Sequence, residues 1–165
     1  MQFRGMRRVR QQMQDSEAQA VLAQGTEGVL AVAGDDGYPY AVPVNYVYQD
    51  GKIYLHGAKT GHKIEALQRN PKCSFCVIAD KTVLPEKLAT NYRSVIAFCR
   101  ARIITDTEET VAIARAIGQG FSDDMENINR EIKQTMPSLC CIELTVEHLT
   151  GKVGLYLLPE RKSQQ

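Results

Sequence analysis

Between Tyr38 and Lys63 the chain reads YPYAVPVNYVYQDGKIYLHGAKTGHK, two apolar, aromatic-rich runs joined only by Asp50-Gly51. An Asp-Gly pair between two such runs signals a tight hairpin, because the turn asks for positive φ at both central residues. So short a link leaves no room for the crossover that parallel strands require. The sheet here must be antiparallel. The period then changes: after Ala58-Lys59-Thr60-Gly61, the run HKIEALQRN places Ile64 and Leu67 on one helical face, and Asn70-Pro71 stops it.

The rest of the chain extends this pattern. Residues 16–24 predict a helix, with Ser16 and Gln19 as a capping box and Gly25 as the stop. GVLAVAG at 28–34 is a first strand, Asp35-Asp36-Gly37 turns, and 40–48 is a second strand. Pro39 and Pro43 mark it as an edge, a bulge or a strand end, since proline lacks the ladder donor. Strands follow at 52–57, 72–79 and 91–106. The last puts Val95, Ala97, Cys99 and Ala101 on one side and Tyr92, Ser94, Ile96, Phe98 and Arg100 on the other.

Asp106 with Glu109, and Asp123 with Glu126, open two helices reaching about residues 118 and 134, the first with Val111, Ile113, Ala114 and Ile117 as its apolar stripe. Two closing strands, 138–149 and 152–158, are expected to meet at Thr150-Gly151. About six strands with inserted helices make a mainly β fold, an antiparallel barrel within one domain spanning 1–165. Residues 1–13 and 159–165 are expected as extended or frayed tails.

Composition narrows the function. A net charge of +1 offers no basic surplus for nucleic acid or an anionic membrane. No apolar run approaches the roughly 20 residues of a membrane span. No apolar core follows the basic start MQFRGMRRVRQQMQ, so a cytoplasmic protein is expected. Five cysteines, an odd number, argue against a disulfide framework. Cys73 and Cys76 have C-x-x-C spacing, but in a strand residues three apart point to opposite faces, so no metal site is expected.

Three features carry candidate chemistry. If Thr60 caps the helix, the amides of Gly61, His62 and Lys63 face outward at its positive end, which suits an anion; an ordinary capped helix is the plainer alternative. His56 reads as a cofactor contact, a haem ligand or a core histidine satisfied by a carbonyl. Tyr38, Tyr40, Tyr46, Tyr48 and Tyr54 suit cross-strand packing or a flat ligand, and Asn45 within this run needs a polar partner. Motifs of hydrolases, zinc peptidases and classical nucleotide folds are absent.

With these residues in view, the chain resembles the pyridoxamine-phosphate-oxidase-like FMN-binding split-barrel proteins, and among them the nitroimidazole-resistance (Nim) group. The resemblance rests on MRRVRQQM at 6–13, GVLAV…DGYPYAVPVNYVY at 28–48, IYLHGAKTGHKIEAL at 53–67, NYRSVIAFCRARI at 91–103 and TGK at 150–152. It implies a six-stranded split barrel and a homodimer with FMN at the interface. Carried over, Pro43, Val44, Asn45, Tyr46, Val47 and Tyr48 would line the ring through backbone groups, with His56 and Gly57 beside it. His62 and Lys63, next to Thr60, would hold the phosphate. Ser94 would contribute from across the sheet or from the partner, and Lys152 is a further contact.

The resemblance has departures. The chain lacks tryptophan and ends in LLPERKSQQ, so pyridoxamine phosphate oxidation itself is not expected. Cys99 stands where the Nim pattern has glycine, and His62 where the oxidases carry arginine. The implied activity is FMN-dependent reduction of a small aromatic or nitro compound, with NAD(P)H or another donor and His56 as candidate catalytic residue. The alternatives are a non-enzymatic flavin- or haem-binding protein with His56 as ligand, or a deazaflavin-dependent reductase.

Overall fold

The computed structural model describes residues 3–158. The first strand, β1 (Glu27–Ala33), follows a helix, α1 (Asp15–Gln24). That helix begins one residue earlier than its composition suggests. Glu17, not Gln19, reaches back to the chain, accepting from the Gln14 amide at 2.7 Å. β1 pairs with β2 (Pro39–Asn45), after which the strand predicted over 40–48 breaks at Tyr46 and resumes as β3 (Val47–Gln49). Tyr46 leaves the ladder for two bonds of its own. Its amide donates to Thr26 O at 3.0 Å and its buried hydroxyl to Leu22 O at 2.7 Å.

β3 turns through Asp50 (φ 51) and Gly51 (φ 78), both positive as the hairpin demands, into β4 (Lys52–Ala58). Then come α2 (His62–Arg69), β5 (Lys72–Leu84), β6 (Ala89–Ile103), α3 (Thr107–Gln119), α4 (Met125–Thr135) and β7 (Leu139–Val153). The Asp106 carboxylate caps α3, accepting from the Glu109 amide, while α4 is capped by Asp124 rather than Asp123. β7 is one strand where two were expected. Gly151 lies within it, packed so closely that an added Cβ would stand 2.9 Å from Ala18 Cβ. Residues 155–157 form a 3-10 turn instead of a strand.

The sheet is antiparallel throughout, in the order β2-β1-β5-β6-β7-β4-β3. Among the described residues it holds seven strands rather than six, and no ladder joins its two edges. Those edges, β2 and β3, are nevertheless halves of one stretch interrupted at Tyr46, so the sheet must curl until its ends meet there. The prolines sit on β2, the edge where a missing donor costs least.

Inside the curl lie Phe75, Leu30, Ile53, Leu55, Ile142 and Leu144, all fully buried, with Leu22 of α1 and Ile64 and Leu67 of α2 packed among them. A second, smaller core sits outside the sheet, where α3 and α4 cover β4 and β7 through Ile113, Ile117, Ile128, Ile132 and Cys141. All five cysteines are free, and no metal-ligating cluster occurs among the described residues. No described helix is long and apolar enough to cross a membrane. Residues 3–13 lie against the sheet, with Phe3 stacked on His148 at 4.5 Å and Gln12 bridged to Lys152. The predicted tail 159–165 is outside the described residues.

Candidate functional site

Several of the residues singled out by sequence meet at the C-terminal end of β4. His56, Gly57 and Ala58 pair with Cys141, Cys140 and Leu139 of β7. Ile53 and Leu55 fill the inner core, so by alternation Gly57 faces inward and His56 outward. Lys63, in the first turn of α2, reaches back over Gly57: a Cβ on that glycine would lie 2.9 Å from Lys63 Nζ. The ammonium makes no ion pair with a described carboxylate. Lys59 stands close by, its amide donating to Ser138 O at 3.1 Å. Burial pushes the Cys140 thiol upward, and the Lys59 and Lys63 ammonium groups pull it back down.

The helix start differs from expectation in its cap. Gly61, at φ 120, is the capping residue, and no side chain caps the helix; Thr60 precedes it. Gly61 supplies its carbonyl to the Ile64 and Glu65 amides at 2.9 and 3.1 Å. The amides of His62 and Lys63 have no acceptor among the described residues. Two free amides and an unpaired ammonium at the positive end of a helix suit an anion.

His62 stands apart from it. Its ring stacks on Tyr40, centroids 4.1 Å apart, and its shielded Nε2 lies 3.5 Å from Asp35 Oδ2, outside hydrogen-bond geometry. Asp35 is also paired with Arg69. Neighbouring residues on a helix point roughly 100° apart. Lys63 therefore reaches β4 while His62 clamps α2 to the β1–β2 hairpin.

Residues 43–48 alternate in role. Pro43 and Asn45 are exposed, and the Asn45 side chain makes no hydrogen bond among the described residues. Val44 and Tyr48 pack against the inner core, Val47 against the α3–α4 core, and Tyr46 is buried. Both halves of this stretch are sheet edges, so their outer backbone groups face no further strand. Ser94 and Lys152 are cross-strand partners, but at the far end of β7. Eleven residues separate Lys152 from Cys141, about 36 Å of strand at ~3.3 Å per residue. One chain does not bring this pair to His56.

A cleft of about 520 Å³ opens from His56 and Gly57 between α3 and α4, walled by Ile117, Phe121, Ile128 and Ile132. Its apolar surroundings lower the His56 pKa, and the Lys63 charge lowers it further, so the ring is neutral near pH 7. The α3 and α4 stripes are visible as helical periodicity. The space left between them depends on tertiary packing and has no sequence signal. Lys59 had one, since it stands inside the polar loop itself.

The profile of the family described as pyridoxamine 5'-phosphate oxidase matches residues 14–153. No curated protein matches the chain. Among solved structures, a candidate 5-nitroimidazole antibiotic resistance protein from Bacteroides thetaiotaomicron superposes with a TM-score of 0.71 at 22% identity, covering 87% of this chain and 86% of that one. A conserved hypothetical protein from Mycobacterium tuberculosis gives 0.76 at 19% identity, covering 90% of each chain. An FAD and haem binding protein from Mycobacterium smegmatis gives 0.67 at 16% identity, over 88% and 74%. At these identities the likeness is one of fold.

Proposed function

The chain belongs to the pyridoxamine 5'-phosphate oxidase family, and from that membership we propose that it is an FMN-dependent oxidoreductase of the nitroimidazole-resistance type, acting as a homodimer on a small aromatic or nitro compound. The observation that carries the reading is the junction at the end of β4. Lys63 Nζ and the free amides of α2 supply an anion site over Gly57, and the preceding residue of the strand, a neutral histidine, opens onto an apolar cleft. Those groups fit a phosphate monoester, and the unpaired backbone edges of 43–48 fit the polar rim of a flat ring.

When bound, FMN would supply hydride or electron transfer to the substrate from a donor such as NAD(P)H. The chain's own residues bind and orient. Lys63 and the His62 and Lys63 amides neutralise phosphate charge, and Gly57 leaves room for the ammonium. His56, neutral, holds one donor and one acceptor at the mouth of the cleft. Ser94 and Lys152 complete the site only if a second chain presents them. The exposed apolar outer face of β1, β5 and β6 supports that partnership.

The purified protein should show flavin absorbance or take up added FMN. A colourless protein that does not bind it overturns the reading. Lys63→Met should weaken FMN by roughly tenfold, the loss of one charge-assisted contact.

A second reading is a haem-binding protein with His56 as ligand, favoured by the opening of this neutral imidazole onto the cleft and by the haem of the M. smegmatis neighbour. His56→Ala separates the two: loss of a Soret band supports haem, and unchanged flavin binding with altered turnover supports catalysis. Parallel titration with a deazaflavin identifies that alternative.

A further inference from the structure

The cleft between α3 and α4 has a chemical polarity that the flavin reading leaves unused. Its walls are apolar, and its volume lies within the range of small-molecule sites. Gly118 makes the walls close, since an added Cβ there would stand 2.9 Å from Ile128 Cγ2. At one end sits neutral His56, with the Lys63 ammonium over the next residue, Gly57, on the other face of β4. Along α4, the residues facing the cleft are Asn127, Ile128, Glu131, Ile132 and Thr135. Glu131 is the only acidic side chain among the lining residues.

Two carboxylates in this part of the molecule are matched, while Glu108, Asp123 and Glu126 make no described ion pair and do not line the cleft. Glu143 is held by Lys52 and Arg102, and Glu109 by Arg102. Among the described residues Glu131 has no such partner, and its backbone carbonyl accepts from the Thr135 hydroxyl at 2.8 Å. The arginines of these two helices are committed elsewhere, Arg115 to Asn129 and Arg130 to Asn127, while Lys59, Lys63 and Lys133 make no described ion pair. Phe121, which also lines the cleft, keeps 52% of its surface exposed.

We infer that this cleft is the substrate site and that it selects compact aromatic molecules bearing a cationic or N–H-donating nitrogen, with Glu131 as the specificity-determining residue. The ring lies between the apolar walls, its donor nitrogen on Glu131 and its electron-poor end toward His56. A cation is attracted by the free carboxylate, whereas an anion meets it uncompensated at that end. This assignment of the occupant as a reductive substrate rests on the flavin reading; the charge preference of the cleft does not.

Three small nitroarenes test it: 4-nitrobenzylamine, nitrobenzene and 4-nitrobenzoate, cationic, neutral and anionic near pH 7. Their affinities for the full chain are measured by calorimetry with and without FMN, while FMN uptake is followed separately by fluorescence. The cation should bind tightest and the anion weakest. Glu131→Gln should weaken the cation about fivefold, the size of a partly exposed ion pair, and leave nitrobenzene unchanged. Thr135→Trp, at the exposed rim, should weaken all three.

Equal affinities, or a cation indifferent to Glu131→Gln, overturn the inference while FMN uptake leaves the flavin reading standing. The expected charge order in a protein that takes up no FMN supports the cleft and overturns the flavin reading. Near-ultraviolet circular dichroism identifies a variant that has lost its fold. In that event Glu131→Asp, which keeps the charge but shortens its reach, replaces Glu131→Gln; undiminished cation binding to it, with equal affinities among the probes, counts against the inference.

Discussion

His56 and Lys63 illustrate how two residues acquire properties that neither has alone. Burial of the imidazole is the larger cause of its lowered pKa and the Lys63 charge the smaller. Lys63→Met should therefore raise the His56 midpoint, followed by NMR titration, without restoring it to the ordinary value of about 6.5. An anion at the helix start should act in the same direction by screening the ammonium. A His56 midpoint unmoved by both would break the proposed link between the anion site and the cleft. The stability sign follows from proton counting. Below about pH 6.5 the unfolded chain binds the His56 proton more readily than the folded one, so this residue costs stability as pH falls through that window and nothing above it.

At the scale of elements, Glu143 ties four together. Its nearly buried carboxylate accepts from Lys52 of β4 and Arg102 of β6, and Arg102 passes on to Glu109 of α3. The Arg102 guanidinium is the main reason its pKa lies below the usual carboxylate range. Glu143→Gln should cost about 1–3 kcal/mol in chemical denaturation, because two cations lose a desolvated partner. The stabilisation from Glu143 is present above the usual carboxylate pKa and disappears as pH drops through its lowered one.

Gly151→Ala tests a different kind of join. The added methyl meets Met13 and Ala18, and overpacking of that kind costs about 1–3 kcal/mol. A variant as stable as the parent would place Gly151 back in the turn its sequence suggests. That residue also shows where sequence reading ends. Hairpins at Asp50-Gly51, the alternation of Val95, Ala97 and Cys99, and the α3 stripe are local and were legible. The roles of Gly151 and Tyr46 are not local: one is small because α1 lies on it, the other leaves its strand because Thr26 and Leu22 accept from it. The same limit applies to the site. AKTGHK shows a helix start suited to an anion, but not that His62 turns away to Tyr40.

For the whole molecule, the unresolved separation is that of Ser94 and Lys152 from His56. In register, Val29, Cys76, Ile96 and Thr150 form one outward row across four strands, and Ala31, Ser74, Phe98 and His148 the next. Ile78, Ile96 and Phe98 on this face keep 65%, 43% and 40% of their surface exposed. Exposed apolar side chains on a sheet face suit an interaction surface. If a second copy covers it, Ile96→Lys adds an unpaired charge to the interface without touching the interior. Light scattering should then show a dimer reduced to a monomer, with its dissociation constant raised more than about tenfold, a change of about 1.4 kcal/mol or more. FMN affinity should fall with it, because the chain that supplies Ser94 and Lys152 is lost. A parent protein that is monomeric at every concentration, and yet binds FMN one to one, would show that His56, Lys63 and the edge of 43–48 form a complete site without a partner.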